Sequence, residues 1–137
     1  MREILFRART ISEDEYMEGG EWIEGFYTCF NGDEHRIYTG YSETDCGDHY
    51  PDWFTVLPET VGQYTGLTDK NGKRIFEGDI IECVVIYDIG QYPTFEKEIH
   101  AVCYREGCFT PFYNCERNSF EVIGNIHDNP ELLKGGE

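Results

Sequence analysis

Catalysis or metal binding by this 137-residue chain would have to use its cysteines, histidines and carboxylates. The six cysteines are Cys29, Cys46, Cys83, Cys103, Cys108 and Cys115. Zinc sites usually combine closely spaced cysteine pairs with matching cysteines or histidines, and two segments approach that pattern. One is Cys46-Gly-Asp-His49; the other is Cys103 and Cys108, which flank a predicted turn and would face one another across two strands. The simpler interpretation is six free thiols that pack as small hydrophobic groups.

Histidines and carboxylates form no recognisable catalytic motif. The sequence has no P-loop, G-x-S-x-G, H-E-x-x-H or G-x-G-x-x-G. The four histidines, which lack a patterned partner and fit surface or turn positions, are His35, His49, His100 and His127. Cys83 lies in a predicted apolar strand. Burial there raises the pKa of a thiol, so Cys83 is expected to be a poor nucleophile. We assign no catalytic, cofactor-binding or metal residue and expect a non-enzyme; a small hydrolase that uses paired carboxylates is the alternative.

Acidic charge is concentrated in the N-terminal half. The span from Thr10 to Asp69 contains fourteen acidic residues and one basic residue, Arg36. Its net charge is therefore −13, out of −16 for the whole chain. Such a surface repels phosphate backbones and anionic lipids, so we expect no direct nucleic-acid or membrane binding. The charge either keeps the protein soluble or forms a contact surface, including one that imitates the phosphates of DNA. The densest run, 12–21, is interpreted as an exposed loop.

Strand-like runs separated by Gly, Asn and Pro predict a mainly β fold. They fall at 3–9, 22–30, 35–39, 53–57, 61–65, 73–76, 80–87, 97–104, 107–113 and 119–126. Asp128 to Leu133 predicts a short helical turn with Asn129 at the N-cap and Pro130 next. We expect an acidic β segment over 1–57. Over 58–137 we expect a small SH3-like or half-closed barrel, either separate or forming one compact unit with 1–57.

The central stretch, Pro58 to Glu82, has the most tightly specified turns. Asp69-Lys70-Asn71-Gly72 places Asp first and Gly fourth, as a type I turn prefers. Glu77-Gly78-Asp79 then leads into an apolar, β-branched run from Ile80 to Ile86, typical of a buried strand. We interpret the glycines here as turn residues and not as a ligand-binding loop.

Aromatic residues are abundant, with ten tyrosines, nine phenylalanines and two tryptophans. Trp22, Phe26 and Phe30 share one face of a predicted strand, so we expect at least one of these rings in the core; Trp53 and Phe54 suggest the same for another strand. The remaining tyrosines are typical of interfaces. An aromatic patch ringed by acids favours a protein partner or self-association.

The same segments resemble the YopX family, which is encoded largely by bacteriophages and prophages and has few assigned functions. The resemblance lies in Met1–Arg9, Gly20–Tyr27, Pro58–Glu82 and Phe120–Leu133. Residues 11–19 and 31–52 match no part of it and are expected to be loops of variable length. The resemblance implies a phage or prophage protein inside a bacterial host cell.

Two further observations favour the cytoplasm. The chain has no run of about 18 apolar residues, and its N-terminus interrupts apolar residues with Arg2, Glu3, Arg7 and Arg9, unlike a secretory leader. A reducing compartment keeps cysteines as thiols. We therefore predict a cytoplasmic protein that binds a protein partner or itself, as a modulator or a structural homo-oligomer.

Overall fold

The computed structural model describes residues 4–11, 20–88, 90, 92–105, 107–112, 115–116 and 118–134. The chain divides into two compact units, Met1–Tyr64 and Thr65–Glu137. The described residues are mainly antiparallel β, with a short helical turn near the C-terminus, which confirms the predicted fold class. The strands are β1 (Phe6–Arg9), β2 (Trp22–Phe30), β3 (Glu34–Glu43), β4 (His49–Thr55), β5 (Gly62–Thr68), β6 (Arg74–Phe76), β7 (Asp79–Tyr87), β8 (Thr94–Ala101), β9 (Cys103–Arg105), β10 (Cys108–Thr110) and β11 (Glu121–Asn125); the helix is α1 (Glu131–Lys134).

The first unit is an antiparallel sheet in the order β4-β3-β2-β1-β5. A tight turn joins β2 to β3 through Asn31 and Gly32, both at positive φ, which Asn and Gly adopt most readily. β1 is a central strand: Phe6 lies opposite Gly25 on β2 and Gln63 on β5. The register between β3 and β4 shifts near Gly40. These pairings fix which side chains share a face.

The core of the first unit lies on one face of this sheet. Its fully buried members are Ala8, Ile37 and Val56, and the half-buried side chains packed against them are Phe6, Ile23, Tyr27 and Val61. On β2 the inward positions are therefore 23 and 27, because side chains alternate along a strand. The expectation that Trp22, Phe26 or Phe30 supplies a core ring is wrong. These residues occupy the opposite face.

The second unit contains a three-stranded sheet in the order β11-β7-β8, the hairpin β9–β10, and β6 beside the end of β5. Its core consists of Ile75, Ile81, Cys83, Val102 and Phe120. The described strands remain in separate sheets and do not close into a barrel. The barrel analogy therefore correctly predicts short antiparallel strands but not their closure.

The Asp69 turn of the second unit is held by hydrogen bonds from both its backbone and its side chain. Gly72, at φ +81, donates its N–H to the Asp69 carbonyl at 3.0 Å. The Asp69 carboxylate accepts N–H groups of Asn71 and Lys73 at 2.9 Å each and of Val122 at 3.0 Å. The predicted hairpin turn is confirmed, and its aspartate also fixes β11 to the turn.

Asp79 performs a comparable role at the second turn. It is 1% exposed, and its Oδ2 accepts the N–H of Phe76 at 2.8 Å. Gly78 has φ +93, and its N–H donates to the Val102 carbonyl while its carbonyl accepts from Ile126. This turn therefore connects three segments of the second unit.

Predicted and observed strand boundaries differ at several positions. Within residues 31–52, the strand predicted over 35–39 is present but longer, as β3, and residues 49–52, expected to be loop, begin β4. The predicted strand 97–104 is interrupted at Val102, whose buried side chain belongs to the core. The helical turn begins at Glu131, and Leu132 N–H donates to the Asn129 carbonyl at 3.1 Å.

Candidate functional site

The most prominent surface feature is the sheet face of the first unit that lies opposite the core, here called the outer face. The register places its residues side by side: Arg9 faces Trp22, Phe26 faces Tyr38, and Tyr38 faces Trp53. The outer face consists of Arg7, Arg9, Trp22, Glu24, Phe26, Phe30, Glu34, Arg36, Tyr38 and Trp53. It therefore combines aromatic rings with guanidinium and carboxylate groups.

Arg36 is held between two rings of the outer face. Its Cζ lies 4.3 Å from the Phe30 ring centroid and 3.8 Å from that of Trp53, within the range of a cation–π contact. Its Nη2 also donates to Glu34 Oε2 at 2.8 Å. The hydrogen bond from Arg36 lowers the pKa of Glu34 and keeps the carboxylate ionised. The guanidinium side chain is only 15% exposed.

A second ring on the outer face carries two guanidinium groups. Arg7 Cζ lies 4.8 Å and Arg9 Cζ 5.4 Å from the Trp22 ring centroid. Both arginines lie on β1 at positions two apart, so they share a face, and Arg7 is opposite Glu24. The arginines at this end therefore interact within the sheet.

Several rings of the outer face are open to solvent. Phe26 is 66%, Phe30 48% and Trp53 41% exposed. Exposed acidic residues lie beside them, with Glu24 on the same strand and Asp33 in the adjoining turn. Large exposed apolar groups with a polar rim are typical of interaction surfaces.

The second unit brings together two thiols that are far apart in the sequence. Cys115 Sγ lies 3.7 Å from Cys83 Sγ and 3.0 Å from the Pro111 carbonyl oxygen. Burial raises the pKa of Cys83 to about 12 and also raises that of Cys115. Since the thiolate is the reactive species, this pair is chemically quiet at neutral pH.

The predicted pairing of Cys103 with Cys108 is wrong. Cys108 lies opposite Arg105, and Cys103 lies opposite Thr110, because the short turn fixes this register. Cys46, which is exposed, and His49 stand at the end of the β3–β4 hairpin, where His49 is 4.0 Å from Glu43. Within the described ranges, no group of three or more histidines, cysteines or acids is arranged to hold a metal ion.

A polar chain of three residues crosses β7 and β8. The Tyr87 hydroxyl donates to Glu98 Oε2, and His100 Nε2 lies 2.9 Å from Glu98 Oε1. The hydrogen bond with Glu98 is the main cause that raises the pKa of Tyr87 to about 12. The same hydrogen bond lowers the pKa of Glu98, although burial acts in the opposite direction. The arrangement stabilises an ionised Glu98 and a neutral Tyr87, which suits a structural bridge better than proton transfer at neutral pH.

The remaining histidines lie apart from one another. His35 stacks on Tyr27, with ring centroids 5.8 Å apart, and its Nδ1 is hydrogen-bonded to the Tyr27 hydroxyl. His127 donates its backbone N–H to Asn125 Oδ1 at 3.0 Å in the turn after β11. No membrane-spanning helix, judged by length and apolar character, occurs in the part of the chain that the structure describes.

Fold and outer face together define a small antiparallel β protein with two units and an aromatic surface. The chain belongs to the YopX family: the family model described as YopX protein matches residues 6–134. Among proteins with curated descriptions, none matches the sequence. A matching solved structure is that of protein EF1440 from Enterococcus faecalis, 28% identical with a TM-score of 0.57 over 97% of this chain and 99% of that one.

Proposed function

We propose that this protein is a non-catalytic protein-binding module whose contact surface is the outer face of the first unit. The observation that carries the proposal is the exposure of Phe26, Phe30 and Trp53 on one sheet face. Aromatic residues and arginine dominate the energetics of protein interfaces. The rigid β2–β3 pairing presents these side chains with little further ordering on binding, which favours affinity.

The contact surface differs in detail from the acidic surface predicted from the sequence. Acidic residues such as Glu24 and Asp33 lie beside the aromatic rings, so they would form the rim of the interface rather than its centre. Rim charges mainly accelerate association and select partners. The proposed setting remains a phage or prophage protein that acts in the host cytoplasm on a host or phage protein.

A hydrolase is less well supported. YopX is not a known enzyme family. The thiols of Cys83 and Cys115 have raised pKa values, and the carboxylate of Glu98 is engaged by Tyr87 and His100. These contacts favour structural roles for all three residues.

The test is affinity capture of partner proteins from a bacterial host lysate, with the wild-type protein and two single variants as baits. Phe26→Ser removes the most exposed ring of the outer face, and Tyr92→Ser removes a ring of similar exposure, 73%, from the second unit. We expect a stoichiometric partner with the wild type and Tyr92→Ser, and a loss of about 2 kcal/mol in binding, roughly thirtyfold in Kd, with Phe26→Ser.

Molar mass in solution, measured by light scattering, distinguishes a homo-oligomer from a protein that binds a different partner. An oligomer that dissociates in Phe26→Ser and persists in Tyr92→Ser would assign the outer face to a second copy of the chain. Equal capture of the same partner by all three proteins would refute the proposed contact surface.

A further inference from the structure

We infer that Cys83 and Cys115 close into a disulfide when the protein meets a small aliphatic disulfide such as oxidised glutathione, and that this bond locks Cys115 onto β7. The inference concerns the second unit and is independent of the outer face. It follows from the distance between the two sulfur atoms, from the backbone pairing beside them, and from the different exposure of the two thiols.

The two sulfur atoms are in contact, and backbone pairing keeps them side by side. Their separation is 3.7 Å. Cys115 forms an antiparallel bridge with Val85, and the N–H of Glu116 donates to the Val84 carbonyl at 2.9 Å. Cys83 is two positions from Val85 on β7, so their side chains share a face. A disulfide bond is about 2.05 Å long, so the sulfur atoms must approach by about 1.7 Å. Cys115 supplies this shift, because it lies in an isolated bridge and not within a strand.

Exposure determines which thiol reacts first. Cys115 is half-buried, whereas Cys83 is 1% exposed. The Cys115 thiolate attacks one sulfur of the small disulfide, forms a mixed disulfide and releases one small thiolate. The Cys83 thiolate then attacks the Cys115 sulfur and releases the second small thiolate. The two protons lost by the protein thiols are taken up by the released thiolates, and the two electrons reduce the oxidant to two thiols.

The surroundings of the pair slow this exchange but favour its product. Burial raises the pKa of both thiols, and Glu98, opposite Cys83 on β8, adds to the effect. Thiolate is therefore scarce and attack is slow at neutral pH. A disulfide is strongly oxidising when its reduced form is stabilised as thiolate, and this pair has no such stabilisation. Excess thiol in a reducing cytoplasm keeps the pair open, and a rise in oxidant closes it.

The other four cysteines are placed differently. In the strand pairings of the described residues, Cys29, Cys103 and Cys108 face residues other than cysteine. Cys29, Cys46 and Cys108 are exposed, so a small disulfide converts them to mixed disulfides. These adducts serve as an internal measure of how far the oxidant has reacted.

The experiment equilibrates the full-length protein in mixtures of reduced and oxidised glutathione at about pH 8.5, where thiolate is more abundant. The samples are quenched with acid, alkylated, digested with trypsin and analysed by mass spectrometry. Cleavage after Lys97 and Arg105 places Cys83 and Cys115 in different peptides. We expect the two peptides to become linked within one chain as the oxidised fraction rises, while Cys29 and Cys46 acquire glutathione.

Two matched variants locate the bond, because Cys108 lies in the same tryptic peptide as Cys115. Cys108→Ser is expected to retain the link and Cys115→Ser to lose it. Hydrogen exchange then measures the effect on structure: in oxidised Cys108→Ser, the amide of Glu116 should exchange about tenfold more slowly than in the reduced protein.

Three results would overturn the inference. One is the absence of the linked peptide from wild type and Cys108→Ser at glutathione ratios that convert Cys29 fully. Another is a link that persists in Cys115→Ser. The third is Cys115 carrying glutathione at equilibrium while Cys83 remains a thiol. Wild type and Cys108→Ser decide the question even if Cys115→Ser folds poorly.

Discussion

Replacing Asp69 tests the structural reasoning most directly, because one buried carboxylate ties the β5–β6 turn to β11. Asp69 is 7% exposed and accepts three backbone N–H groups, from Asn71, Lys73 and Val122. The expected order of stability is wild type, then Asp69→Asn, then Asp69→Ala. Asn retains the shape and one acceptor oxygen, whereas Ala leaves all three donors without the carboxylate.

The expected loss in unfolding free energy depends on how far water can replace the carboxylate at each N–H donor. A hydrogen bond to a charged group contributes about 1.5–3 kcal/mol. Asn71 and Lys73 are exposed turn residues, so water replaces part of their bonds, whereas Val122 is half-buried on β11. We expect a loss in unfolding free energy of about 3 kcal/mol for Asp69→Ala and about 2 kcal/mol for Asp69→Asn.

The effect of Asp69 depends on pH. Burial opposes ionisation, but the three N–H donors outweigh it and lower the pKa of Asp69 below its ordinary value. A carboxyl whose folded pKa is below its unfolded pKa stabilises the protein fully above the unfolded value, near pH 4, and loses that contribution as pH falls through the folded value. The difference between wild type and Asp69→Asn should therefore be constant from about pH 7 to 5 and shrink below about pH 4.

Urea unfolding followed by far-ultraviolet circular dichroism at several pH values measures this difference. Asp45→Asn, at an exposed position in the turn after β3, serves as the control for removing one negative charge. A difference below about 0.5 kcal/mol at pH 7, or one that does not change between pH 7 and 3, would refute the role given to Asp69.

Two glycine substitutions give further predictions. Gly72→Val should lower the unfolding free energy by about 2 kcal/mol, because a β-branched residue is strained at φ +81; Gly72→Asn should cost less, and equal melting temperatures for the two would contradict the turn geometry. Gly25→Ala would place Cβ 2.1 Å from the Tyr38 carbonyl oxygen, so we expect about 3 kcal/mol of destabilisation. Gly40→Ala, which meets nothing within 4 Å, is the control, and thermal melting measures both.

Turns and strands with strong local signals were predictable from the sequence. Asp69, Asn71 and Gly72 specify their turn by short-range chemistry, and the run from Ile80 to Ile86 is apolar along its length. The full length of the β3–β4 hairpin was not predictable: 35–39 and 53–57 carry a strand-like pattern, but the residues between them are largely polar and exposed. Its strands depend on pairing with β2 and on each other, which no local pattern encodes.

Which face of β2 is buried was not predictable from the sequence. Alternation divides β2 into two faces but does not say which is buried. The large rings of Trp22 and Phe26 favoured their face as the buried one, yet the buried face carries Ile23 and Gly25. At Gly25 the close approach of the Tyr38 backbone leaves no room for a side chain. The pattern on β1 indicates the correct orientation: Arg7 and Arg9 lie on the exposed side with Trp22, and Ala8 between them is buried with Ile23.

Cysteine contacts depend on tertiary structure in the same way. Spacing suggested Cys103 and Cys108, but the register of the hairpin separates them. Cys83 and Cys115 are far apart in sequence and meet only because Cys115 pairs with Val85 beside β7. Short sequence spacing is therefore a weaker guide to thiol contacts than strand register.

Both tryptophans of the chain lie on the outer face, Trp22 against Arg7 and Arg9 and Trp53 against Arg36. The intrinsic indole emission of this protein is therefore an optical label for the first unit, and the second unit contributes none of it. Unfolding followed by emission reports Met1–Tyr64, whereas circular dichroism reports both units. Comparing the two signals across one denaturation curve measures whether the units melt together, without any added dye.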